Sequence, residues 1–175
     1  MNILEYENYH ENIEHVELAF PYNTYLCSIP LDFQKVPLHW HDEIELIYIK
    51  KGKGIVSVDF RPYKVSAPTI VLILPGQLHS IEQCNNFSME YENIIFSPNM
   101  LISKNVDYTA SNFLQPLFHG KISVPTVFTP VYPYYKLISA PLDACDEICK
   151  TMPQGYQLFI KSKLYEFFFI LDNRC

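Results

Sequence analysis

Seven short segments rich in β-branched and aromatic residues follow one another between Thr24 and Phe96, each closed by Gly, Pro, Asn or Asp. They run Thr24–Ile29, Glu43–Ile49, Ile55–Asp59, Tyr63–Ser66, Thr69–Leu74, Leu78–Gln83 and Ser88–Phe96. Such segments suit a pleated, half-buried surface, and several at this spacing read as an all-β sandwich or barrel. The chain has 175 residues, 49% of them hydrophobic and only 18% charged, enough to bury a sizeable core and to exclude disorder as its main state.

The period changes in the second half. Tyr156, Phe159, Ile160, Leu164, Phe167, Phe168 and Leu171 recur at helical spacing and predict one broad apolar face on a long helix. An earlier helix carries the stripe Ile138, Leu142, Cys145, Ile148, Cys149 and Met152, with Ser139 placed to cap its start and Pro141 in its first turn. Pro153 and Gly155 separate the two helices. Asp107–Phe118 predicts a short helix, and Pro125, Pro130 and Pro133 mark an extended connection. The expected architecture is mainly β, a barrel followed by an antiparallel helix pair. A face as wide as that of the last helix must be covered, either by packing on the barrel and on the sister helix or, the sharper expectation, by a second copy in a homodimer.

Charge divides where the period does. Residues 1–97 hold 6 basic and 13 acidic side chains, a net of −7, while residues 98–175 hold 7 and 6, a net of +1. The expected boundary falls at Ser97-Pro98, between a barrel with its N-terminal arm (1–97) and a connection with a helical hairpin (98–175). Arg61 and Arg174 are the two arginines of a chain with net charge −6. A surface gripping many phosphates needs more positive charge, so contact with nucleic acid by this chain alone is not expected. The five cysteines, Cys27, Cys84, Cys145, Cys149 and Cys175, form no zinc-knuckle pair, no signal peptide opens the chain, and no apolar run is long enough to span a bilayer. These features predict a cytoplasmic protein with reduced thiols and no membrane partner.

Chemistry concentrates in His39-Trp40-His41-Asp42-Glu43-Ile44-Glu45 and Pro75-Gly76-Gln77-Leu78-His79. On one strand His39, His41 and Glu45 share parity, together with Glu43 and Ile47; on a second strand His79, Ile81 and Gln83 do. Three imidazoles and one carboxylate make a plausible ligand set for a divalent transition metal.

These residues also carry a resemblance. His-x-His, three residues, Glu45, six residues and Gly52 is similar to the first cupin motif, and Pro75-Gly76 with His79 is a compressed second motif with Gln83 in place of its trailing Asn. The order of Pro37–Glu45, Gly52-Lys53-Gly54, Leu74–Ser80 and Phe96-Ser97-Pro98, then two helices, resembles the N-terminal domain of AraC-type transcription regulators. The resemblance implies a cupin-like double-stranded β-helix, or jelly-roll barrel, that binds a small polar effector such as a sugar and does no catalysis. It adds Tyr91 and Asn93 to the ligand-binding residues and implies an arm over the mouth, helices that build the dimer, and DNA contact only through a C-terminal domain outside this chain. A metal-dependent cupin enzyme, an isomerase or dioxygenase, is the alternative. No cofactor is required by the first reading; a divalent transition metal on His39, His41, Glu45 and His79 is compatible with both.

Overall fold

A computed structural model describes residues 3–13, 15–102, 105 and 107–174. The chain divides into two compact units, Met1–Ser97 and Pro98–Cys175.

The first unit begins with a short helix, α1 (Ile3–Glu7), and continues into seven strands: β1 (Tyr22–Ile29), β2 (Lys35–His39), β3 (Ile44–Val58), β4 (Arg61–Ser66), β5 (Thr69–Ile73), β6 (His79–Gln83) and β7 (Met89–Phe96). Their pairings are antiparallel. β3 serves two sheets. Its first part lies between β5 and β7, and its second part, from Lys53 on, lies between β4 and β6. One sheet therefore runs β1-β7-β3-β5 and the other β2-β6-β3-β4, the two faces of a double-stranded β-helix.

Two segments expected as separate strands, Glu43–Ile49 and Ile55–Asp59, are thus one strand of 15 residues. The glycines between them mark the passage from sheet to sheet rather than a turn. Gly52 has φ +73°, and a Cβ there would lie 1.9 Å from the carbonyl oxygen of Ser88. Gly52→Ala is expected to lower the urea midpoint of unfolding, at a cost of at least about 1–2 kcal/mol for the left-handed backbone alone.

Ile44, Leu46, Ile47, Ile49, Val56 and Ile70–Ile73 are buried, with Ile94, Ile95 and Phe96 beside them. Both faces of β5 and of the first part of β3 are covered, so these strands read as continuous apolar runs instead of alternating. β2 was not expected as a strand, because Lys35-Val36-Pro37-Leu38-His39 has a proline at its centre. It pairs with β6 alone, with a register shift between Val36 and His39, and an edge position tolerates the missing N–H.

In the second unit a π-helical turn (Ala110–Leu114) leads into α2 (Gln115–Phe118), followed by α3 (Tyr135–Cys149) and α4 (Tyr156–Arg174), which pack as an antiparallel pair. α3 starts earlier than the capping pattern predicts. Ser139 is a buried interior residue and Pro141 sits inside the helix, where it removes the N–H that would reach the Leu137 carbonyl. Met152 lies beyond the helix end with φ +43° and is exposed.

The face of α4 assigned to self-pairing needs correction. Ile160, Leu164, Phe167, Phe168 and Leu171 are already buried in the single chain, Tyr156 is half-buried, and only Phe159 is exposed. Within the unit Phe168 meets Phe118 edge-on at 5.0 Å. A stripe consumed inside the protomer cannot also cover a partner. The apolar side chains that α4 leaves exposed are Leu158, Phe159, Tyr165 and Phe169. Among the described residues no helix is long and apolar enough to cross a membrane. Cys27 and Cys84 are free thiols, Cys145 is buried and Cys149 half-buried; Cys175 lies outside the described residues.

Candidate metal centre and ligand cavity

His39 is the last residue of β2, His41 lies in the connection that follows, Glu45 is the second residue of β3, and His79 opens β6. The shared strand parity expected for His39, His41 and Glu45 is therefore incorrect. The connection Trp40–Glu43 carries the chain from one sheet to the other and aims His41 from a loop, while His39 faces His79 in the β2–β6 register. The four side chains nevertheless converge, with one donor atom from each lying within 4.8 Å of all the others. The Pro75-Gly76 turn helps. Gly76, at φ +76°, donates its N–H to the His41 carbonyl at 2.9 Å and so ties the two motifs together.

Tautomers follow from the backbone. The Nδ1 of His39 pairs with the Pro37 carbonyl at 2.8 Å and that of His79 with the Gln77 carbonyl at 2.9 Å. A carbonyl only accepts, so both rings donate from Nδ1 and turn Nε2 toward the cluster. Glu45 Oε2 lies 2.9 Å from His41 Nε2 and 2.8 Å from His79 Nε2. The His79 nitrogen is fully buried and, despite that closeness, not aligned with any hydrogen-bond partner among the described residues. Donor atoms about 2.1 Å from one ion lie roughly 3 Å apart when adjacent, so these separations suit a metal, and the unmatched nitrogen of His79 is a group that a metal would satisfy. The residues present fit a divalent transition ion, with ring N–H groups anchored on carbonyls as metal-bound histidines require.

Burial opposes charge on Glu45, His79 and His39, yet the carboxyl of Glu45 is held well below the usual range, because the charge of His79 and the hydrogen bond from His41 outweigh desolvation. His79 is raised: desolvation lowers it, and the Glu45 carboxylate more than reverses this. His39 is lowered by burial and by the neighbouring charge of His79. In metal-free protein the contribution of the Glu45–His79 pair is therefore complete between about pH 4.5 and 6.5, above the unfolded Glu value and below the unfolded His value. It is lost as pH rises through the folded His79 value, or falls through that of Glu45. The stability difference between the wild type and His79→Gln, measured in chelator across pH, is expected to peak in that window.

Three members of the cluster, His39, His41 and Glu45, form one wall of a cavity of about 590 Å³. β1 contributes Tyr25 and Cys27, β6 Ile81, β7 Tyr91, Asn93 and Ile95, and the N-terminal arm Glu11, Ile13 and His15; Asp32 and Phe33 come from the β1–β2 loop. Six of the seven ligand-binding positions expected from sequence, His39, His41, Glu45, Ile81, Tyr91 and Asn93, line this one space, and His79 stands behind them, joined to it through the donor cluster. Glu43, Ile47 and Gln83 are not among the described lining residues, although parity placed them with the others. The arm residues Glu11 and His15 had no sequence signal, and Tyr25 and Cys27 needed the β1–β7 register to reveal which face of β1 turns inward. The Tyr91 phenol is pushed far up by burial and then by Cys27, so it remains a neutral donor; burial also raises the Cys27 thiol. The Oδ1 of Asn93 is buried without a hydrogen-bond partner among the described residues. The wall thus pairs a phenol and a carboxamide with a potential cation, a set suited to a small ligand rich in oxygen.

A double-stranded β-helix with this cavity and cluster is a cupin-type binding domain. The AraC-like ligand binding domain family matches residues 31–168, and the chain belongs to that family. It is 28% identical over 111 residues to the uncharacterized HTH-type transcriptional regulator YdeC of Bacillus subtilis (strain 168), a match that covers 63% of this chain and 37% of that protein. It is 27% identical over 81 residues to the uncharacterized HTH-type transcriptional regulator YbfI of the same organism, covering 46% and 30%. The matched region is about a third of the length of these relatives. Among solved structures, a cupin protein from Bacteroides fragilis superposes with a TM-score of 0.41 at 19% identity, covering 53% of this chain and 75% of that one.

Proposed function

We propose that the domain is the sensing half of a transcription regulator, and that it holds a small, oxygen-rich effector in the barrel against a divalent metal on His39, His41, Glu45 and His79. The observation that carries this is the convergence of four donor atoms within 4.8 Å of one another, with His39, His41 and Glu45 among them lining a cavity of about 590 Å³. Tyr91 and Asn93 give the ligand one donor and one unmatched acceptor, and a sugar or hydroxy acid suits them. The relatives named as HTH-type transcriptional regulators support a DNA-binding domain elsewhere in the whole protein; a cytoplasmic homodimer is part of the same proposal. Regulation is then a population shift. An effector that binds one arrangement of barrel, arm and helices better than another biases the attached DNA-binding domains by its difference in affinity.

No catalysis is required by this reading. A metal-dependent enzyme is the second reading, and the intact donor set is the observation in its favour. A thermal-shift screen of the Zn²⁺- and Mn²⁺-loaded chain against sugars, polyols and hydroxy acids separates the two. The sensing reading expects a ligand that raises the midpoint and is recovered unchanged, with affinity lowered at least about 10-fold by Tyr91→Phe or Asn93→Ala through loss of buried hydrogen bonds. Recovery of a converted product at stoichiometric metal overturns it in favour of the enzyme.

A further inference from the structure

We propose that the N-terminal arm supplies a fifth ligand to the centre, the Glu11 carboxylate, so that a bound divalent metal fastens the arm to the barrel. This rests on the metal-centre reading and extends it to a segment outside the four-residue set.

The arm is held against the residue between the two motif histidines. The Trp40 N–H donates to the Tyr9 carbonyl and the Glu11 N–H to the Trp40 carbonyl, both at 2.9 Å, and His10 and Trp40 form a parallel bridge. The indole stacks on Tyr6 at 4.6 Å with 13° between the planes, lies 4.4 Å from the His10 ring, and donates its Nε1–H to the Tyr6 carbonyl. This pairing sets the register of residue 11 relative to His39 and His41. The result is that Glu11 Oε2 lies 3.5 Å from His39 Nε2, the nitrogen that the Pro37 carbonyl has left facing the cluster.

A second histidine stands behind the carboxylate. His15 Nε2 is 2.7 Å from the same Glu11 oxygen, and the His15 carbonyl accepts hydrogen bonds from the Tyr25 hydroxyl at 2.9 Å and the Asn23 amide at 3.1 Å. A carboxylate braced by a histidine while aimed at another metal-type histidine has the arrangement of a ligand with its outer partner. Two donors each about 2.1 Å from one ion stand roughly 3–3.5 Å apart, which the Glu11–His39 separation satisfies. Two carboxylates also neutralise a divalent ion, which lowers the cost of holding charge in a half-buried site. Metal occupancy would then be read directly as arm position.

Zinc alone is the probe. Trp40 is the single tryptophan and reports arm docking by its emission. No Lys or Arg precedes Lys35, so a glutamate-directed protease cutting after Glu7 and Glu17 reads arm exposure. In the wild type, zinc is expected to slow those cleavages at least 10-fold and to shift Trp40 emission. Glu11→Gln, which keeps the side-chain shape, is expected to melt like the wild type in chelator, to bind zinc 10- to 100-fold more weakly, and to lose the zinc-dependent protection. His15→Gln is expected to lower affinity several-fold, with protection restored at saturating zinc. If Glu11→Gln binds zinc as tightly as the wild type and protects its arm equally, the fifth ligand is overturned and the four-residue centre stands. If the wild type binds no zinc, both are overturned.

Discussion

His79→Ala is expected to weaken zinc binding by roughly 100-fold or more. Structural zinc sites with four protein ligands bind with about 10–16 kcal/mol, so one ligand carries about 2.5–4 kcal/mol, a factor of roughly 10² to 10³. His79 is the decisive member because it is fully buried, its Nδ1 is committed to the Gln77 carbonyl, and its Nε2 has no aligned partner among the described residues. At zinc 100-fold above its dissociation constant the wild type gains about 2.7 kcal/mol, a rise of roughly 5–11 °C in unfolding midpoint for a chain of this size. The variant is expected to show almost none of that rise at the same zinc concentration. The zinc-induced shift is the quantity to compare, since the alanine also leaves a void that lowers the metal-free midpoint. Equal shifts in the two proteins would remove the metal centre from the account.

The second large effect separates two neighbouring phenylalanines. Phe167→Ala is expected to cost about 3–5 kcal/mol, because the ring is fully buried and its loss leaves a cavity in a packed interior. Phe169→Ala, 67% exposed on the same helix, is expected to change stability by less than about 1 kcal/mol. If the exposed stripe of Leu158, Phe159, Tyr165 and Phe169 mediates self-association, Phe169→Ala shifts the dimer toward monomer in light scattering, while the urea midpoint of the monomer barely moves. A reversed pattern, with Phe167 tolerant and Phe169 critical to the monomer, would restore the interface originally assigned to the buried face.

Much of the fold was legible because it depends on local pattern. β-Branched and aromatic runs closed by turn residues placed five of the seven strands of the first unit to within a few residues, and the helical period from Tyr156 to Leu171 placed α4. β2 was hidden by Pro37, whose cost vanishes only because the strand lies at an edge. The continuous β3 was hidden by Gly52 and Gly54, which mark either a turn or a bend according to what pairs on each side. The start of α3 was misplaced because Ser139 and Pro141 mimic a helix start, whereas burial of Tyr135 and Ile138 extends the helix backward.

At the candidate site, residue types and order pointed to a metal-type donor set, since three imidazoles and a carboxylate are common ligands of divalent transition metals. Parity suggested the convergence for an incorrect reason. Only the tertiary structure decided that His39, His41 and Glu45 come from a strand end, a loop and a different sheet, and that Glu11 and His15 of the arm stand beside them. It also decided which face of α4 is covered. The physical reason is the same in each case. Local sequence sets which side chains a segment can present, but non-local pairing between sheets and packing between helices choose which of them meet.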